Sequence, residues 1–355
     1  MAEISSQNLL DFVQKQLPWF EACSEPQRLA GGILNYVWRI EGKPRSLVVK
    51  YFAPHIASAP EIPLDRNRML LEARCLQAFN NGGELETIAT PQIRPPHLYY
   101  ADETHHIVIM EEVKALYRND LSAGGWGFQH ISGQQAGENI GGFIGRLHAQ
   151  SCNQADFAQY FNNFAIQKTR WEVQYCAIGD LLAKANIPDA RTLGQKAEAL
   201  GEKYLTPGKT LVMGDLWPPS VMPTAPGLRI IDWEFAHYGY PTQDIAHFAA
   251  HLWMLAHRAK TAEIAQQANH LLNAFLRSYT EALGETRQQL LDSEEWQDCA
   301  VHFAAEILVR TVGRFQSGYL YDGLSLEAPE IQEAVEMAAS HLRFPEQSDI
   351  FFSYR

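Results

Sequence analysis

Cysteine is scarce in this chain, and its pattern excludes more than it suggests. Cys23, Cys75, Cys152, Cys176 and Cys299 are odd in number and widely scattered, with no Cys-x-x-Cys pair. That usage excludes a disulfide framework and fits a reducing cytoplasm. Long apolar runs are missing too. The most apolar stretch, Ile245 to Ala256, is interrupted by His247 and His251 and is too short to span a bilayer. The opening residues, MAEISSQNLLDFVQKQL, read as an amphipathic helix broken by charge, not as a basic segment followed by an apolar core, so no secretory signal is expected. Positive charge is in the minority: 29 Lys and Arg face 41 Asp and Glu, a net charge of -12, with the acidity spread over both halves. Without a basic patch or arginine-rich arm, a nucleic-acid partner is not expected, and a mildly acidic surface does not by itself select the charge of a small substrate. Repeats and low-complexity tracts are absent. A soluble, cytoplasmic protein with no membrane partner follows as the expectation.

The chain has enough material for a full core. At 355 residues with 46% apolar content, it matches a two-lobed enzyme better than a disordered protein. Strand patterns cluster before residue 113 and helical spacing dominates after it, with helices predicted over Gln135 to Gln150, Phe157 to Leu182, Ala190 to Tyr204, Thr242 to His257, Ala262 to Leu283, Glu294 to Phe315 and Pro329 to Leu342. The predicted class is α+β, with a small β-rich lobe over residues 1–112 and a mainly helical lobe over residues 113–355.

One stretch carries most of the chemistry. From Leu211 to Ile245, LVMGDLWPPSVMPTAPGLRIIDWEFAHYGYPTQDI, an apolar strand runs into Gly214-Asp215, then a proline-rich loop, then a hairpin that returns to Asp232. Asp215, Asp232 and Glu234 are therefore expected to converge. Carboxylates gathered this closely repel one another unless a cation intervenes, and hard oxygen ligands favour magnesium bound together with a substrate phosphate. Asp232 and Glu234 stand two apart, so on an extended segment both would face one side. Upstream, Leu29 to Ile40 reads as strand, glycine turn, strand, and the Gly31-Gly32 pair lets backbone amides approach phosphates. Leu47 to Tyr51 is a buried-strand pattern holding Lys50. Asp65 to Phe79 has helical spacing and holds Glu72.

The Gly214-Asp215 loop followed by the strand-borne Asp232 resembles the catalytic core of the aminoglycoside phosphotransferase superfamily, which includes choline kinases and methylthioribose kinases and shares the protein-kinase-like fold. The resemblance spans roughly residues 25 to 250, taking in the Leu47 to Tyr51 strand, the strand His106 to Val113 and the helix Ile140 to Ala149. It implies a two-lobed kinase that moves the γ-phosphate of ATP to a hydroxyl on a small molecule, with magnesium as the metal. It assigns Asp215 as the catalytic base, and Asp232, with Glu234 or Ser220, as metal ligands. Gly31, Gly32, Asn35, Lys50 and its partner Glu72 would bind the nucleotide, and Met110, Glu111 and Val113 would line the connector that binds adenine. The stretch Asp232 to Gly239 is similar to that of methylthioribose kinases, as is the helix bearing Arg310, so Trp217, Tyr238 and Arg310 become candidate acceptor contacts. Asp244 resembles the aspartate that braces the catalytic loop.

Two positions depart from the superfamily pattern: Met213 stands where His is usual and Ser220 where Asn is usual. They define the alternative, a catalytically degenerate kinase-fold protein that holds a nucleotide or ligand without transfer. A protein-hydroxyl kinase is disfavoured because no Ala-Pro-Glu-like segment follows Asp232. His247 and His251 have zinc-compatible spacing, but no His-Glu-x-x-His motif accompanies them, so local bonding is expected. The acceptor remains open among methylthioribose-type sugars, amino alcohols and aminoglycosides.

Overall fold

The computed structural model describes residues 6–29, 33–116 and 131–354. The chain divides into two compact units. The first comprises residues 1–90, 94–114 and 229–235, and the second 91–93, 115–228 and 236–355. The segment 229–235, which carries Asp232 and Glu234, belongs to the sheet-bearing unit, and residues 91–93 belong to the other. Strands and helices are both present, as expected for an α+β chain, with the larger sheet in the first unit and most helices in the second.

In the first unit, strands β1 (Gln27–Arg28), β2 (Tyr36–Ile40), β3 (Leu47–Tyr51), β4 (Leu98–Asp102) and β5 (Ile107–Glu111) form an antiparallel sheet in the order β1-β2-β3-β5-β4. Side chains alternate faces along a strand. Leu47 and Val49 of β3 thus join Trp38, Ile40, Ile107 and Ile109 in a core that buries Leu9, Val13 and Leu17 from helix α1 (Ser6–Gln16) and its C-terminal extension. Lys50 lies opposite Val37 of β2 and Val108 of β5, in the middle of the sheet. Helix α2 (Arg68–Phe79) carries Arg68 and Glu72 one turn apart, both buried. The segment 229–235 is fastened to this helix by Trp233. Its fully buried ring packs on Phe79 at a centroid distance of 5.1 Å, and its indole Nε1 donates to the Ile230 carbonyl oxygen at 2.8 Å.

In the second unit, helix α3 (Gly133–Gln150) packs along helix α6 (Ala262–Ala282), with α5 (Thr242–His257) and α7 (Ser293–Thr311) alongside. Gly133, Gly137, Gly141 and Gly145 recur every fourth residue on α3 and face α6 backbone. A Cβ on Gly145 would lie 2.6 Å from the Tyr279 carbonyl oxygen, so the two helices come closer than side chains would permit. Short strands β6 (Thr210–Val212) and β7 (His237–Gly239) pair antiparallel, Leu211 opposite Tyr238. The single helix expected over Phe157 to Leu182 is instead broken into Ala155–Tyr160, α4 (Phe164–Arg170), a five-residue π turn Trp171–Tyr175, and Ile178–Lys184. Apolar periodicity persists through these breaks, which is why the pattern looks continuous. No helix among the described residues is long and apolar enough to cross a membrane.

Candidate active site

Lys50 is the hub of the first unit's charged cluster. Its Nζ donates to Glu72 Oε2 at 2.7 Å and to Asp232 Oδ1 at 2.9 Å, and it lies 3.2 Å from Glu234 Oε1. Burial alone would drive its ammonium toward neutrality, but Asp232, Glu234 and Glu72 outweigh that and hold its pKa well above the usual lysine value. Glu72 shows the reverse strain. Burial, reinforced by neighbouring Glu234 and Asp232, pushes its carboxyl up to about 7 despite the lysine. Three carboxylates share two cations, Lys50 and Arg68, so the cluster carries one acid in excess.

The local backbone differs from the extended segment expected around Asp232. Asp232 adopts φ +65°, a left-handed conformation uncommon outside glycine and asparagine, and Trp233–Phe235 forms a 3-10 turn. Both carboxylates still reach Lys50, but in different settings. The Asp232 side chain is 49% exposed. Glu234 is buried and accepts from Asn35 Nδ2 at 2.6 Å and Arg68 Nε at 2.7 Å, while Arg68 also donates to Asn35 Oδ1 at 2.7 Å. Arg68 escaped sequence reasoning; its one available signal was its position four residues before Glu72.

Gly31 and Gly32 lie outside the described residues. Met110 is buried in β5, Val113 is partly exposed in the connector, and the Glu111 carboxylate forms a bidentate pair with Arg94 at 2.6 and 2.8 Å. Arg94 and Glu111 line a cavity of about 600 Å³ together with Trp19, Arg45, Asn80 and His97. None of the Lys50 cluster residues lines that cavity.

In the second unit, Asp215 follows Gly214, whose φ of +80° suits glycine. The loop is braced from α5: Met213 N and Gly214 N each donate to the Asp244 carboxylate at 2.8 Å, and His148 Nε2 lies 3.1 Å from Asp244 Oδ2. Met213 fills core volume, so the backbone bracing comes from Asp244 without a histidine at 213. Arg170, the last residue of α4, donates to Asp215 Oδ1 at 2.8 Å, and His247 Nε2 lies 3.5 Å from the same oxygen. The π turn that follows aims Gln174 at Glu306 Oε2 (2.9 Å) and Tyr175 at His302 Nδ1 (2.6 Å). Arg170 and Glu306 were also missed. The first was hidden inside an apparently uninterrupted helix; the second lay one turn before Arg310.

Arg310 donates through Nε to buried Glu306 at 2.8 Å, and its guanidinium sits over the rings of Trp217 (5.0 Å), Phe315 (5.3 Å) and Tyr319 (5.0 Å). Burial would raise the Glu306 carboxyl, yet the charged Arg310 guanidinium bonded to it helps hold it well below the ordinary range. Burial also lowers the three neighbouring imidazoles: His247 well below its usual value, His251 to about 4 and His302 to about 3. His247, His251 and Glu306 bring possible ligand atoms within 4.8 Å of one another. Their partners are already in place, since Glu306 accepts from Arg310 and Gln174 and His251 Nδ1 lies 2.5 Å from the Tyr319 hydroxyl. Two further candidates bond elsewhere. The Ser220 hydroxyl donates to the Trp217 carbonyl at 2.8 Å and accepts from Trp217 N at 3.2 Å, and the Tyr238 hydroxyl donates to the Lys209 carbonyl at 2.9 Å.

A model of the phosphotransferase enzyme family matches residues 25–284. The chain belongs to that family. It is similar to 4-hydroxytryptamine kinase of Psilocybe cyanescens, 25% identical over 71% of this chain and 74% of the relative. It is also similar to methylthioribose kinase of Exiguobacterium sibiricum, 26% identical over 65% of this chain and 61% of the relative. Choline kinase of Cryptosporidium parvum shares its fold, which is protein-kinase-like, with a TM-score of 0.57 at 12% identity over 99% of this chain and 98% of that one. The family and its kinase members make the chain a small-molecule kinase, and membership implies ATP use.

Proposed function

We propose that this chain moves the γ-phosphoryl group of ATP to a hydroxyl of a small molecule with the aid of magnesium, Asp215 acting as base. The observation that carries the reading is the buried Lys50 ammonium, held at once by Glu72, Asp232 and Glu234. An acid-rich cluster with one half-exposed aspartate fits a divalent cation, because the excess negative charge and the open hard oxygen favour it. Asp232, with Glu234 behind it, would hold magnesium, which when bound neutralises charge on the phosphates.

The chain's own residues do the rest. Lys50, fixed by Glu72, positions phosphate oxygens, and Asn35 and Arg68 lock Glu234 in place. Gly31 and Gly32, outside the described residues, stay candidates for the phosphates on their sequence alone, and Met110, Glu111 and Val113 are the candidates for the adenine. Asp215 orients the acceptor hydroxyl and takes its proton while Arg170 keeps the carboxylate aimed. Ser220 and Tyr238, whose hydroxyls bond to backbone carbonyls, shape the loop and strand around Asp215. Trp217 and Arg310 bound the acceptor site. Acceptors of the sugar, amino-alcohol and aminoglycoside types all carry a suitable hydroxyl, and an ATP-consuming reaction of this kind suits the cytoplasm.

ADP release in the presence of ATP and magnesium, screened across those acceptor types, tests the reading. One class should stimulate release, and Asp215→Asn should lower that turnover about a thousandfold, on the order of 4 kcal/mol in barrier. Full turnover by Asp215→Asn would remove the base role.

A further inference from the structure

We propose that the acceptor is an oxygen-rich hydroxyl compound, uncharged or anionic, and that the pairing of charges around Asp215 excludes acceptors bearing an ammonium group beside the reacting hydroxyl. The proposal rests on Asp215 as the base and narrows the acceptor class.

The strongest holds on an ammonium are a carboxylate without a counter-ion and an open aromatic cage. Around Asp215, the described residues of the second unit present both features already filled. Asp215 is paired with Arg170 at 2.8 Å, and Glu306 with Arg310 at 2.8 Å. Two acids thus meet two permanently charged guanidinium groups. His247, His251 and His302 add no charge near neutral pH, because burial keeps the rings unprotonated.

The aromatic groups give the stronger half of the argument. Trp217, Phe315 and Tyr319 form a three-sided box, the usual means of holding a quaternary nitrogen, and this box contains the Arg310 guanidinium 5.0 to 5.3 Å from each ring centroid. The chain supplies its own cation. Glu306 fixes that cation from behind, and Gln174 fixes Glu306 in turn. Arg310 keeps 17% of its side chain exposed. Its planar N–H groups are suited to hydroxyl, carboxylate or ring oxygens, whereas an ammonium brought there would meet like charge.

Two measurements on the full-length protein test this. In the first, matched acceptors are compared for ADP release with ATP and magnesium: glucose against glucosamine, and choline against its uncharged carbon isostere. Wherever either member of a pair reacts, the uncharged member should be preferred about tenfold or more in kcat/KM, because the ammonium meets the like charge of Arg310. Preference for the amine members would overturn the proposal and leave the kinase reading standing. In the second, tetramethylammonium is titrated against tryptophan fluorescence, which needs no catalysis. Wild type should show no saturable change, whereas Arg310→Met should show one and lose it when Trp217→Phe is added. Saturable binding by wild type that Trp217→Phe abolishes would overturn the proposal even if no acceptor is phosphorylated. Should Arg310→Met fail to fold by circular dichroism, the wild-type titration decides alone.

Discussion

Two charged clusters, one in each unit, are built from the same residue types and balanced in opposite ways. Around Lys50, three carboxylates crowd two cations, and the strain surfaces at Glu72, whose carboxyl is pushed up to about 7. Around Asp215 and Glu306, two carboxylates meet two arginines, and three histidines are kept neutral by burial. The comparison teaches that residue types do not set a cluster's balance: counting partners leaves one acid in excess around Lys50 and none around Asp215 and Glu306, although both clusters hold aspartate, glutamate and arginine.

Breaking the first cluster should have the largest effect. Glu234→Ala leaves Arg68 and Asn35 buried without their shared acceptor, and removing one partner of a buried pair costs about 3–5 kcal/mol. Chemical denaturation should show that loss at neutral pH; a change near zero would mean that the network is more open to water than its burial indicates.

The second cluster should reveal itself through pH. The folded-state values of His251 and His302, about 4 and about 3, lie below the ordinary histidine value of roughly 6.5. The unfolded chain therefore binds more protons between those limits, so stability is complete above about pH 6.5 and falls as the pH drops toward 4. Each such ring contributes a slope of about 1.4 kcal/mol per pH unit in that window. His302→Gln should remove one ring's share of the slope, measured as unfolding free energy at several pH values. An unchanged slope would show that His302 is not kept neutral.

The smallest effect serves as a baseline. The exposed pair Arg277 and Glu138, 3.4 Å apart, should contribute only about 0–1 kcal/mol, so Glu138→Gln should leave the melting temperature nearly unmoved. A larger loss would blur the distinction between buried and exposed pairs.

Much of the fold was legible in the sequence because apolar spacing sets elements directly. Thr242 to His257 and Ala262 to Leu283 were predicted from that spacing, and helices occupy Thr242–His257 and Ala262–Ala282. Breaks were harder. The π turn at Trp171–Tyr175 keeps an apolar stripe while shifting its register, so Arg170 gave no sign of reaching Asp215. Backbone at the site was similarly hidden. An alternation of two suggested an extended Asp232 to Glu234, whereas the observed φ of +65° and the 3-10 turn follow from anchoring by Trp233, a tertiary contact invisible to local pattern. Lys50 and Glu72 were easier, since a lysine in a central strand and a glutamate on the next helix have few other ways to satisfy their charges once buried.

The most direct test of the account is ATP binding measured calorimetrically with and without magnesium, in wild type and in Asp232→Asn. Wild type should bind ATP markedly more tightly with the metal present, and Asp232→Asn should lose most of that gain while remaining folded. Equal affinity with and without magnesium in wild type, or an undiminished magnesium effect in Asp232→Asn, would contradict it.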